Sequence, residues 1–147
     1  MPTQTGTLTL VAILLTACQT AQFPGGDPRP DSGINVRDGA FVLSGTALSD
    51  GRGSILGTME GKVPNFKVRR MGGGCPEVNI RQQVGFQRVI KPKVYVDGTL
   101  SSDTCILESL RSHDVESVEV YPQGFTKRPG YATHAHGLIL VFLREVG

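Results

Sequence analysis

Apolar residues in this chain fall into short, sharply bounded runs, and the spacing inside each run predicts an element. The first run holds Leu8, Leu10, Val11, Ala12, Ile13, Leu14 and Leu15. Gln19 to Asp38 then brings Pro24, Gly25, Gly26, Pro28, Pro30, Asp31 and Ser32, with few large apolar groups. Such a segment buries too little surface to offset its ordering entropy and reads as a flexible tether, with order expected from about Ala40. Phe41-Val42-Leu43 predicts a short strand. Ile55, Leu56, Met59 and Val63 recur at helical spacing and predict a helix, despite Gly57 and Gly61, that Pro64 ends.

Phe66 and Val68 alternate with Lys67 and Arg69, the pattern of a half-buried strand. Gly72-Gly73-Gly74 breaks the chain before Cys75, and Val78 and Ile80 then alternate with Asn79 and Arg81 in another strand. Val94-Tyr95-Val96 is β-rich and closed by the turn pair Asp97-Gly98. A second helix is expected with Asp103 as N-cap, Cys105 in its first turn, and Ile106, Leu107 and Leu110 as its buried face. Val118 and Val120 alternate with Ser117, Glu119 and Tyr121, a half-exposed strand. Leu138 to Leu143 is continuously apolar, the mark of a central strand covered on both faces. The pattern predicts an α+β domain, a small mixed β-sheet with two short helices and no internal repeat.

The first apolar run is too short for a permanent span, which needs about 20 apolar residues, but it has the length of a signal-peptide core. It leads into Leu15-Thr16-Ala17-Cys18, with small residues before a thiol that can accept a diacylglyceryl group. Residues 1–17 are therefore expected to be a bacterial lipoprotein signal peptide, and residues 18–39 the lipidated N-terminus and tether. The leader is atypical in having no Lys or Arg before Gly6. One acyl chain holds a protein only marginally, so the two or three chains of a bacterial lipoprotein are what make Cys18 a stable anchor. Gln19, standing where an Asp would favour inner-membrane retention, points to the outer membrane, facing the periplasm.

Composition changes this picture little. Without residues 1–17 the chain keeps 130 residues and its net charge of +2, which suits one domain on a tether and gives no sign of a nucleic-acid partner. The cysteines say more. Lipidation consumes Cys18 of the three, leaving Cys75 and Cys105, which can pair in only one way and are expected to do so in an oxidising periplasm.

The ordered runs also match known motifs in sequence. Val63-Pro64-Asn65-Phe66-Lys67-Val68 is similar to a Val-Pro-Gly-x-x-Val segment, and Val78-Asn79-Ile80-Arg81-Gln82 to an Ile-x-Ile-Arg-Gly strand. Val94-Tyr95-Val96-Asp97-Gly98 matches Val-x-Val-Asp-Gly. Asp114-Val115-Glu116-Ser117-Val118-Glu119-Val120 follows Asp-Ile-Glu-x-Ile-Glu-Val. Gly130-Tyr131 and Gly137-Leu138-Ile139-Leu140-Val141 close the series. Together these resemble the plug domain of TonB-dependent outer-membrane receptors over roughly residues 40–147.

Asn65 and Gln82 depart from the family's Gly, and no TonB-contacting box is recognised in the tether. A receptor's plug sits in a barrel of about 22 strands, whose segments do not occur in this sequence. The resemblance therefore implies a free-standing plug-like domain, with the cysteine pair stabilising it without a barrel.

Charge is uneven. Residues 62–93 hold eight Lys or Arg against Glu77, and residues 94–126 hold six Asp or Glu against Arg111. Lys67, Arg69, Arg70 and Arg81 are candidates for a surface that meets an acidic partner or anionic headgroup; the competing reading is a face whose basic and acidic halves pair with each other. His134 and His136, with His113, are weak candidates for Zn²⁺ or Cu²⁺.

No nucleophile elbow, P-loop or His-Glu-x-x-His occurs. Glu116 and Glu119 sit three apart on a strand and face opposite ways, so they make no acid–base pair. Asp97 is explained by its turn. The expectation is a non-enzymatic outer-membrane lipoprotein, without a cofactor, that binds a protein or ligand in the periplasm and is accessory to TonB-dependent uptake. The alternative is a periplasmic redox or metal-handling protein using Cys75 and Cys105 or the histidine pair.

Overall fold

The computed structural model describes Met1 and residues 33–51, 53–81 and 91–145. Its strands are β1 (Ile34–Arg37), β2 (Ala40–Ser44), β3 (Lys67–Arg69), β4 (Glu77–Asn79), β5 (Lys93–Val96), β6 (Thr99–Leu100), β7 (Val115–Tyr121) and β8 (Leu138–Leu143). The helices are α1 (Thr46–Ser49), α2 (Ile55–Lys62) and α3 (Ile106–Ser109), with a 3-10 turn at Ser112–Asp114. The fold is α+β. Six strands form one mixed sheet in the order β1-β2-β7-β8-β5-β6, and β3 and β4 form a separate hairpin. The β5–β8 pair is parallel, whereas β8 meets β7 antiparallel.

Why β8 is central follows from its composition. Ile139 and Val141 face the main core, where Leu48, Ile55, Leu56, Met59 and Leu107 of the helices meet Val118 and Val120 of β7. Leu138 and Leu140 face the opposite way, against Ala40, Tyr95 and Tyr121. Fully burying a side chain such as Leu140 contributes about 1.5–3 kcal/mol, which a strand covered on one side would gain only at alternate positions.

The longest helix, α2, is set by its ends. Ser54 accepts a hydrogen bond from the Gly57 N–H at 3.4 Å and caps the start. Val63 is already extended, as the residue before a proline prefers. Pro64 and Asn65 then turn the chain, closed by the Phe66 N–H on the Val63 carbonyl at 3.3 Å. Asn65 has φ 60°, the left-handed region that glycine adopts freely and asparagine tolerates, so this departure from the plug motif keeps the turn. Gln82, the other departure, lies outside the described residues.

In four places the structure differs from the reading of the sequence. Order begins before Ala40: Ile34–Arg37, assigned to the tether, form β1 and pair with β2 through Asp38-Gly39, both at positive φ as a tight hairpin turn requires. A third helix, α1, occupies one turn. Regular helix at α3 starts at Ile106, later than a cap at Asp103 implies, although the Asp103 carboxylate still accepts from the Cys105 N–H at 2.9 Å. Finally, β7 is not half exposed. Its pairing with β8 slips a register between Val115 and Ser117, which turns Val115 back into the main core, and Glu119, Val120 and Tyr121 are all buried. Residues 122–137 lie over the second face of the sheet and cover that end.

Candidate binding surface

The basic residues singled out in the sequence are spread over separate contacts. Arg69 faces Glu77 directly across the β3–β4 hairpin and donates to its carboxylate at 2.8 and 2.6 Å. Arg70 reaches Glu60 of α2 at 3.5 Å and Glu108 of α3 at 3.2 Å, so it bridges both helices to the hairpin. Arg81 donates to the Ala135 carbonyl at 2.8 Å and to Gln123 Oε1 at 2.6 Å, fastening both ends of the 122–137 segment. Lys67 is exposed on β3. Three of the four therefore act as ties between elements, and Arg69 and Arg70 are neutralised by acids.

Cys75 and Cys105 are joined in a disulfide, linking the loop after the three glycines to the start of α3. Thr104 Oγ1 donates to the Pro76 carbonyl beside it. Among the described residues, the one grouping of three metal-ligating side chains is Cys75, Asp103 and Cys105, and the bonded sulfurs offer no thiolate to an ion. A redox or metal-handling role for this pair would first need its reduction. The His134 and His136 rings meet edge to face at 5.3 Å, but His113 pairs with Asp114 and is not part of a cluster with them. The Arg81 guanidinium at the Ala135 carbonyl puts a positive charge between those two histidines in sequence, an unfavourable neighbour for a cation. Cys18 lies outside the described residues.

A better-defined arrangement lies on the second face of the sheet. Glu119 is 6% exposed on β7. Its carboxylate accepts from Arg128 Nε at 2.8 Å, from Arg128 Nη2 at 2.6 Å and from the Tyr121 hydroxyl at 2.8 Å. Bonds on this scale offset part of the cost of burying a carboxylate. The Arg128 guanidinium lies over the Phe142 ring, 5.0 Å from its centroid.

The Glu119 hydrogen bond holds Arg128 still further above the usual guanidinium range. Burial pushes the Tyr121 phenol up; a hydrogen bond from Thr126 offsets part of this and the Glu119 charge adds to it. Beside the network opens a cleft of about 340 Å³, lined by Arg37, Asp38, Val42, Tyr121, Lys127 and Pro129 among others. Lys127 donates to Asp38 at 3.1 Å, and Arg37 lies 3.9 Å from the same carboxylate.

Sequence reasoning passed over Arg37, Lys127 and Arg128. It read Glu119 as solvated because it alternates with Val118 and Val120. The available signal was an acid flanked by apolar residues and Tyr121, with a cation nine residues later.

The segment that carries Lys127 and Arg128 is pinned at its neck. The His134 N–H donates to the Gly124 carbonyl at 2.7 Å, and Gly124 combines φ 74° with an approach so close that a Cβ there would strike the His134 carbonyl. Tyr131 then packs edge-on against Tyr95 at 5.1 Å.

No family model and no curated protein matches the chain. Solved structures do, among them two states of one complex. One is the RagAB peptide importer in its closed-closed state, with TM-score 0.55 and 19% identity over 76% of this chain and 13% of that one. The other is the same importer in its open-open state, with TM-score 0.52 and 19% identity over 74% of this chain and 12% of that one. The likeness is one of fold, and the chain spans only about an eighth of the proteins it matches. Among the described residues, no helix is long and apolar enough to cross a membrane.

Proposed function

We propose that this chain is a non-enzymatic, plug-like binding module of the bacterial outer membrane, held there by lipid on Cys18 and accessory to a TonB-dependent uptake system. The observation that carries this reading is the fold likeness to part of a peptide importer, with TM-score 0.55, found in a chain whose motifs follow the plug order in sequence. One line comes from backbone geometry and the other from residue identity.

In this reading lipid on Cys18 serves as the membrane anchor. The Cys75–Cys105 bond, with the Arg70 bridges to α2 and α3, braces the domain. Residues 1–17 are then a signal peptide and 18–32 the tether.

Affinity recovery of the full lipidated protein from detergent-solubilised envelopes tests the reading. A β-barrel protein of the outer membrane is expected to co-purify, and recovery with no barrel protein would overturn the accessory role. Changing Cys18 to Ser separates the anchor from the partner: the folded domain should leave the membrane fraction, and its retention there would refute lipid anchoring.

A further inference from the structure

We infer that the cleft between β1–β2 and the 122–137 segment binds the C-terminal residue of a peptide, with Arg128 and Lys127 receiving its carboxylate. This goes beyond the role proposed above and does not depend on it, since it is read from the cleft's own side chains.

The argument begins with Glu119. A carboxylate on the apolar face of a strand is costly to bury, and here it is fully engaged in holding one guanidinium in place. Its effect is to fix Arg128. Clamped by Glu119 on one side and packed over Phe142, Arg128 still leaves 51% of its side chain exposed. A cation held in position before binding loses little freedom when an anion arrives. Lys127 and Arg37 stand on the rim with most of their side chains in water.

The occupant follows from what surrounds these cations. Three positive groups face two acids, and Glu119 is consumed by the clamp, which leaves a net attraction for one negative charge. Asp38 stands among the cations as an acceptor, half exposed. Its charge opposes a phosphate dianion more than a single carboxylate, and its Oδ2, 3.9 Å from Arg37 Nε, can accept an amide N–H one residue's length from a terminal carboxylate. Val42, Tyr121 and Pro129 add apolar wall for a side chain, and about 340 Å³ accommodates one or two residues. Carboxylate, N–H and apolar side chain together describe the end of a peptide.

The test uses the full-length protein in detergent micelles and fluorescence anisotropy of an N-terminally labelled Gly-Gly-Leu probe. The free acid is expected to bind at least ~10-fold more tightly than the C-terminal amide, the discrimination of a lost charge-assisted hydrogen bond. The Arg37→Gln/Lys127→Gln double variant alters only exposed side chains, so its fold is not at risk. It should weaken the acid by roughly 3- to 10-fold and flatten its salt dependence.

Equal binding of acid and amide would overturn the inference, as would no binding at millimolar peptide or an unchanged double variant. An amidated peptide with an internal Glu that binds as tightly as the free acid would refute recognition of the terminus, and so would displacement of the probe by equimolar inorganic phosphate. The envelope recovery experiment can fail while the peptide binds, and the reverse, so the two proposals stand or fall separately.

Discussion

Removing the Cys75–Cys105 bond should destabilise the domain without changing its folded structure. The closed loop has a sequence separation of 30, for which the chain-entropy relation gives about 3.7 kcal/mol at 25 °C. In this model the effect comes from the unfolded chain, because native contacts at the same joint do not depend on the sulfurs. Arg70 still reaches Glu108 at 3.2 Å, and Thr104 still donates to the Pro76 carbonyl.

Equilibrium urea unfolding of the oxidised protein and of the Cys75→Ser/Cys105→Ser variant measures it. At a slope of about 1–3 kcal/mol/M, the midpoint should fall by about 1–4 M. The slope should rise in the variant, since an unlinked chain exposes more surface on unfolding. Near-UV circular dichroism of the folded state should be the same in both. A midpoint shift under about 0.5 M would refute the reasoning; altered native spectra would place the effect in the folded state instead.

Three further outcomes follow from single positions. Tyr121→Phe removes the hydroxyl that donates to Glu119 and should cost about 1 kcal/mol near neutral pH. Because burial raises Tyr121 above the ordinary phenol value of about 10, the unfolded chain ionises first, so stability should fall as pH rises past that value; urea midpoints across this range should decline more steeply in the native protein than in the variant. Asn65→Gly should be neutral or slightly stabilising while Asn65→Ala should cost about 1 kcal/mol, by thermal unfolding, since only the latter adds strain at φ 60°. Arg128→Met should cost about 1–3 kcal/mol by leaving the buried Glu119 without its cation, whereas adding Glu119→Leu to it should recover most of that loss; a double variant no better than the single would count against the ion pair as the cause.

Much of the fold was legible because burial writes itself as a period. A strand covered on both faces shows as the unbroken run Leu138 to Leu143, and α2 shows as Ile55, Leu56, Met59 and Val63 ahead of a proline. β1 was not legible for the same reason inverted. It is an edge strand with Asn35, Val36 and Arg37 exposed, so no apolar alternation marks it. Its signal was the Asp38-Gly39 pair, the same dipeptide that was read as a turn at Asp97-Gly98, and in both places the two residues take positive φ. α1 is a single turn, shorter than any helical period.

The cleft was hidden for a different reason. Whether the Glu119 side of β7 meets water depends on residues 122–137, a Gly- and Pro-containing connection whose own pattern predicts no element. That segment crosses the second sheet face because Gly124 admits the His134 carbonyl, Arg81 holds Gln123 and Ala135, and Tyr131 finds Tyr95. None of those contacts is local in sequence. Once the segment is in place, it converts a one-sided sheet into one with a core on each face, and it delivers Lys127 and Arg128 to the edge of that second core. Covering the sheet and building the cleft are therefore one event. The acid that looks misplaced in an apolar strand joins them: Glu119 contributes little to packing, and its three hydrogen bonds tie the cover to the strand at the point where the cations must stand.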